Sequence, residues 1–165
     1  MAANGSWTVV GWNNLGMHCM DSDYSVMSIL PPYNTLETQV LDPTGHLISP
    51  GSGVNVTFEA VADPTGSINS TSIGKTDFWS YAQSLFGLIQ PLPPDTGLTG
   101  ISMPGTANTP QQLTFDATTG TWTGEGIPAT PYDDAGHKNT YPLFRVTARD
   151  SGGAVLGTSD VVLPV

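Results

Sequence analysis

Apolar and polar residues alternate along much of the chain with the two-residue period of half-buried β-strands. In residues 54–61 every second residue from Val54 to Ala60 is apolar, and the residues between them are polar. Further apolar or alternating runs predict strands at 7–12, 25–30, 36–41, 46–49, 112–115, 121–123, 143–149 and 154–157, with 161–163 continuing the last sheet. This pattern is typical of antiparallel sheets that each bury one face.

Turn signals separate these runs. The tetrapeptide Asp-Pro-Thr-Gly occurs at residues 42–45 and again at 63–66, and its Asp, Pro and Gly occupy the positions that type I turns favour. Residues 150–153 would join the closing pair of strands. About eight or nine short strands with frequent turns predict an all-β, antiparallel β-sandwich, immunoglobulin-like or jelly-roll-like, with a barrel as the alternative.

One segment breaks the alternation. Apolar residues between Phe78 and Ile89 recur at helical spacing, which predicts a single short helix within residues 76–87. Thr76 or Asp77 could cap its start, and Gly87 would end it. Residues 91–110 contain five prolines and predict a long surface loop. The length of 165 residues suits one sandwich domain that covers residues 1–165.

Charge excludes several classes of partner. Fourteen acidic residues face four basic ones, which gives a net charge of −10. Nucleic acids and anionic membrane surfaces need clusters of Lys and Arg, so neither is an expected partner. No run approaches the roughly 18 apolar residues that a membrane span needs. The low charged fraction of 11% and the start Met1-Ala2-Ala3, typical of an initiator methionine on a trimmed chain, predict a secreted or periplasmic protein.

The densest reactive chemistry lies in residues 17–20, Met17-His18-Cys19-Met20, which include the single cysteine of the chain. Thiolate, thioether and imidazole are soft ligands that favour Cu(I). Neighbours in an extended strand point to opposite faces, so all four can reach one ion only if the backbone turns there. Otherwise His46 or His137 must complete the shell. The predicted metal ligands are therefore Met17, His18, Cys19, Met20, His46 and His137.

Other interpretations of the same residues stay open. Met17 and Cys19 could be core side chains, because free cysteine is often buried. Cys19 with a histidine and an aspartate could also form a nucleophilic site, although no local signature of a cysteine hydrolase accompanies it. The carboxylate pairs Asp21/Asp23 and Asp133/Asp134 could hold calcium, but Asp is also an ordinary turn residue.

Three parts of the chain resemble a group of uncharacterised secreted bacterial proteins. The first comprises residues 11–21, Gly-Trp-Asn-Asn-Leu-Gly-Met-His-Cys-Met-Asp, followed by 24–26 and 28–34, and the other two are the runs at 131–136 and 161–165. In some members of that group CxxCH haem-attachment motifs follow the domain. The resemblance implies an extracytoplasmic domain linked to electron-transfer proteins and assigns no catalytic residue.

Together these observations predict an extracytoplasmic copper-binding β-sandwich linked to electron transfer, and they favour a non-enzymatic role over an enzymatic one. The alternative is a non-catalytic structural or protein-interaction module of a cell-surface or redox assembly. In either case we expect a metal ion or a redox or cell-surface protein as partner, and no membrane insertion.

Overall fold

The protein is an all-β sandwich of two antiparallel sheets, and the described part of the chain contains one short helix. The computed structural model describes residues 5–14 and 33–165, and eight strands lie within these ranges. The first sheet contains β1 (Thr8–Asn13), β2 (Asn34–Leu41), β5 (Thr114–Asp116) and β6 (Thr121–Ile127) in the order β1-β2-β6-β5. The second contains β3 (Asn55–Val61), β4 (Gln111–Gln112), β7 (Leu143–Arg149) and β8 (Val155–Val162) in the order β4-β3-β7-β8. The predicted fold class is thereby confirmed.

The core lies between the two sheets. In β3 the side chains of Val56 and Phe58 are fully buried, whereas Asn55 is exposed, so the alternation predicted for this strand is confirmed. Phe58 packs beside Phe144 of β7, with ring centroids 6.2 Å apart. Leu36 and Val40 of β2 supply the facing side of the core from the first sheet.

Two predicted strands differ in the structure. Residues 46–49 contribute only an isolated bridge between Leu47 and Leu41, because the chain turns back on β2 and then leaves it. Residues 112–115 do not form one strand: Gln112 pairs with Thr57 in the second sheet, while Thr114 pairs with Thr123 in the first. The chain changes sheet at the buried Leu113. The strand predicted at 25–30 lies outside the described residues.

The helix α1 spans Phe78–Phe86, close to its predicted position. Asp77 is its N-cap residue but makes no side-chain capping bond, and the Thr76 hydroxyl accepts from the Phe78 N–H instead. Gly87 ends the helix in the left-handed region at φ 64°, as predicted. Phe78 and Ala82 are its buried residues.

The strand registers define two ends of the sandwich. At the Asn34 end, β1 finishes at Asn13, β2 begins at Asn34 and β6 finishes at Ile127, which pairs with Asn34. At the Leu41 end, Leu41 of β2 pairs with Thr8 of β1. An eight-residue strand is about 23 Å long, so side chains at the two ends of β2 are far apart.

Candidate functional site

The two described histidines, His46 and His137, occupy the same position in two copies of one turn. Four five-residue turns, 42–46, 63–67, 133–137 and 150–154, begin with an aspartate whose Oδ1 accepts backbone N–H bonds from the third and fifth residues. The fourth residue is always a glycine with φ between 83° and 89°. The sequence predicted two of these turns from Asp-Pro-Thr-Gly, and the other two share the Asp and Gly without the proline.

Both imidazoles lie beside the aspartate of their own turn. Nδ1 of His46 is 3.7 Å from Asp42 Oδ2, and Nδ1 of His137 is 3.4 Å from Asp133 Oδ2. The imidazole side chains are 81% and 80% exposed. Each histidine therefore has a local structural role at the end of a turn that is independent of any metal.

The histidines lie at opposite ends of the sandwich. His46 follows the Leu41 end of β2, whereas His137 lies in the connection from Ile127 to β7, at the Asn34 end. The loop of His137 is bound there to the residues that follow β3, since the Ser67 hydroxyl donates to Asp133. One metal ion could therefore take at most one of these two side chains.

The other predicted ligands, Met17, His18, Cys19 and Met20, lie outside the described residues, as do Asp21 and Asp23. Within residues 5–14 and 33–165, no three His, Cys, Asp or Glu side chains come together as a potential metal-binding group. The metal site therefore stays a prediction.

Asp133 and Asp134, the second predicted calcium pair, have partners within the protein. Asp133 accepts the backbone and hydroxyl bonds of its turn and of Ser67. Asp134 accepts from the Lys75 ammonium at 2.8 Å and from the Ser70 hydroxyl at 2.6 Å. These bonds account for both carboxylates as structural groups, and calcium binding there stays a prediction.

A cleft of about 900 Å³ opens on the face of the first sheet that is turned away from the core. The alternation in β2 directs Leu36 into the core, whereas Thr35 and Glu37 line the cleft. Thr123 and Glu125 of β6 and the edge strand β5 supply the rest of its floor. Residues 98–101 form one wall.

The wall is fixed to the sheet through β6. The Thr99 hydroxyl donates to the carbonyl oxygen of Glu125, and Gly97 packs directly against the Gly126 carbonyl oxygen. The Trp79 indole N–H donates to Thr96 O at 2.9 Å, which connects α1 to the same loop. The cleft is therefore built from β2, β5, β6 and the loop 98–101, and β2 is remote in sequence from the others.

The cleft is acidic. Three carboxylates line it, from Glu37, Asp116 and Glu125, and no Lys, Arg or His is among its described lining residues. Glu37 accepts from the Asn14 side-chain amide at 2.6 Å. The N–H of Thr118 lowers the pKa of the Asp116 carboxyl below its ordinary value. None of the four ion pairs within the described ranges involves these three residues.

The two residues that flank the undescribed residues 15–32 lie at this cleft. Asn14 precedes them and Tyr33 follows them, and both line the cleft. The Tyr33 ring packs edge-on against Phe78 of α1 with centroids 5.8 Å apart. Burial raises the pKa of the Tyr33 phenol above its ordinary value.

The sequence did not identify the cleft residues. Glu37 and Thr123 are ordinary outward-facing polar positions of predicted strands, and Thr35 and Glu125 lie just outside the predicted strands. Alternation alone cannot distinguish an outer face in open solvent from one covered by a loop. The only usable signal was the length of the proline-rich loop over residues 91–110, because long loops in compact domains often form binding sites.

Comparisons with known proteins give no relative for this chain: no family model, no curated protein and no solved structure matches it. Among the described residues, no helix combines the length and the apolar character that crossing a membrane requires.

Proposed function

We propose that the chain is a non-catalytic, extracytoplasmic interaction domain whose cleft receives a cationic segment of a partner protein. The observation that carries the proposal is the set of three cleft carboxylates, Glu37, Asp116 and Glu125, with no basic side chain among the described lining. A groove lined by one sign of charge raises the local concentration of ligands of the opposite sign. The net charge of −10 acts in the same direction.

The shape of the site supports a binding role. A cleft of about 900 Å³ is large enough for several side chains of an extended peptide. Threonine hydroxyls from β2, β5 and β6 line the same floor and could bond to a peptide backbone, while Phe115 and Ile101 offer apolar contact. Such a mixture of polar groups and a few apolar contacts is typical of binding surfaces.

The proposal is tested with a hexalysine peptide as the probe, by calorimetric titration at low and high salt. We expect binding at low salt that weakens as salt is added, because solvent-exposed charges are screened over about 10 Å at 0.1 M. Glu125→Gln removes one cleft charge and should weaken binding about two- to fivefold, the range for a partly exposed charge pair.

Glu59→Gln is the matched control, since it makes the same charge change on β3 in the other sheet. Equal weakening by the two substitutions would mean that the peptide binds the acidic surface in general. That result, or no binding of hexalysine to the wild-type protein at low salt, would contradict the proposal.

Copper binding by residues 17–20 is the second proposal, with electron transfer as the role that the family resemblance implies. One observation favours it: Asn14 and Tyr33, on either side of the undescribed residues, both belong to the Asn34 end, where His137 also lies. Of the two described histidines, His137 is therefore the one that we propose as the additional copper ligand, together with Cys19, His18 and either methionine.

This second proposal is tested by anaerobic Cu(I) titration against a competing chelator. Cys19→Ala, His18→Ala and His137→Ala should each weaken Cu(I) binding at least tenfold, the usual cost of losing a ligand or its orienting partner. His46→Ala is the control, because His46 occupies the same position of the same turn at the Leu41 end. Unchanged affinity in the Cys19 and His18 variants would remove copper binding at this site.

A further inference from the structure

Lys75, Asn69 and Asp134 form a cluster at the Asn34 end that neither proposed function uses. The Lys75 ammonium nitrogen lies 3.1 Å from Asn69 Oδ1 and 2.8 Å from Asp134 Oδ1. Its side chain is only 10% exposed, Asn69 is 1% exposed, and the Asp134 side chain is 29% exposed. The lysine amine is thus held within hydrogen-bonding reach of a buried carboxamide and of a partly exposed carboxylate.

Each group of the cluster is fixed by other bonds. The Asn69 Nδ2 donates to the carbonyl oxygen of Thr130, which determines that its Oδ1 faces Lys75. Asp134 accepts from both the backbone N–H and the hydroxyl of Ser70. These contacts join residues 69–75 to residues 130–134, so the cluster is held by two separate loops and cannot easily rearrange.

This arrangement contains the groups needed to exchange one amide nitrogen for another: an amine nucleophile, a carboxamide and a carboxylate that can transfer protons. The side-chain carbonyl carbon of Asn69 is bonded to Oδ1 at about 1.2 Å, so Lys75 Nζ is at most about 4.3 Å from that carbon. A nucleophile reacts from about 3–3.5 Å, a shift of roughly 1 Å for a flexible lysine end. Holding the two groups in place replaces a bimolecular encounter with a local one, which greatly raises the effective concentration.

We propose that Lys75 and Asn69 form an intramolecular amide cross-link, with Asp134 transferring the proton. Asp134 takes a proton from the Lys75 ammonium, and the free amine attacks the side-chain carbonyl carbon of Asn69. Asp134 returns that proton to Nδ2 and takes the second proton that Nζ must lose to become an amide nitrogen. The bond from the carbonyl carbon to Nδ2 then breaks, and the departing ammonia carries the second proton away from Asp134 as ammonium. Nζ keeps one hydrogen and is bonded to the carbonyl carbon, and no oxidant or reductant is needed.

The reaction happens once per molecule and is driven forward by the loss of ammonia. A slow reaction is therefore sufficient over the lifetime of the protein, unlike in an enzyme that must turn over. The cross-link would close a short loop that precedes α1 and fix the position of Lys75 permanently.

Intact mass spectrometry of the denatured, purified protein tests the cross-link. The wild-type protein should be lighter by about 17 Da than the mass calculated from its sequence, the mass of one ammonia. Lys75→Arg keeps a cation beside Asp134 but provides no amine nucleophile, so it should have the full calculated mass. Asp134→Asn removes the proton acceptor and should also have the full mass or acquire the loss far more slowly.

Peptide mapping of the wild-type protein separates the cross-link from a succinimide at an asparagine, which has the same mass loss. The cross-link predicts a single branched peptide that contains both Asn69 and Lys75 and resists hydroxylamine, and this measurement does not depend on how a variant folds. Full mass in the wild-type protein after prolonged incubation at neutral pH, or a mass loss that persists in Lys75→Arg, would overturn the proposal.

Discussion

The position of a single residue, Gly97, determines how closely the cleft wall approaches the sheet. A Cβ added there would lie far inside van der Waals contact with the Gly126 carbonyl oxygen, a backbone atom that cannot rotate away. The Gly97 N–H also bonds to Ile101 O at 2.9 Å, which closes the turn that carries residues 98–101. Glycine is thus required by space at this site.

Gly97→Ala should therefore destabilise the protein and widen the cleft. We expect the free energy of unfolding to fall by about 1–3 kcal/mol, the usual cost of overpacking, measured by urea denaturation. The hexalysine peptide should bind more weakly because Thr99 loses its position over Glu125. Gly152→Ala is the control, since its added carbon would meet only a side-chain oxygen, at 3.3 Å. An unchanged free energy of unfolding in Gly97→Ala would refute this account of the wall.

At the scale of the element, the five-residue turn is the local structure that recurs most clearly in this fold. Its aspartate carboxylate replaces the partners that the backbone N–H groups of the turn would otherwise find in water. The glycine at its fourth position adopts a left-handed conformation that costs L-residues about 1–2 kcal/mol. The same turn joins β7 to β8, where the two glycines Gly152 and Gly153 stand side by side.

These neighbouring glycines allow a matched test of the turn. Gly153 has φ 87° and no neighbouring atom within 4 Å of an added Cβ, so Gly153→Ala should cost about 1 kcal/mol of unfolding free energy through backbone strain alone. Gly152→Ala should cost close to nothing, because Thr44, Thr65 and Ala135 occupy that position in the other turns. Equal costs for the two variants, measured by urea denaturation, would contradict the proposed role of the fourth residue.

At the scale of the whole molecule, hydrogen-bonded carboxylates make the free energy of unfolding depend on pH in the acid range. The pKa values of six carboxyl groups lie below their ordinary value in the folded protein: Asp42, Asp63, Asp116, Asp133, Asp134 and Asp160. Burial alone would raise the pKa of Asp133, but the N–H of His137 and the Ser67 hydroxyl lower it overall. The folded state therefore binds fewer protons than the unfolded chain near pH 4.

The sign of the effect follows from the lowered values. The stability that these groups contribute is fully present above the unfolded carboxyl pKa of about 4 and is lost as the pH falls through the folded values. We expect the urea midpoint to decline below about pH 4 through this contribution. Asp133→Asn keeps the two backbone acceptor bonds but removes one titrating group, so its decline should be shallower. A decline as steep as that of the wild-type protein would argue against this assignment.

Local chemistry made the individual elements predictable. The alternation from Val54 to Ala60, the turns at 42–45 and 63–66 and the helix end at Gly87 depend on neighbours within a few residues, and all were predicted correctly. The prediction of one strand at 112–115 was wrong. The local pattern cannot reveal the change of sheet at Leu113, because an apolar residue at this position would be buried in either sheet. Gln112 joins the second sheet by pairing with Thr57, which lies more than fifty residues earlier in the chain. Thr114 joins the first sheet by pairing with Thr123.

The sequence by itself thus determined the fold class, the helix, the repeated turns and the acidic charge. Periodicity and turn chemistry are properties of short stretches of sequence, and the net charge follows from the amino-acid composition. The tertiary structure alone decided which outer face became a cleft, that His46 and His137 lie at opposite ends, and that Lys75 meets Asn69 and Asp134. These facts follow from the order of strands in the sheets and from loop contacts between remote residues. Such long-range pairings are selected by the burial of a common core, which no single stretch of sequence specifies.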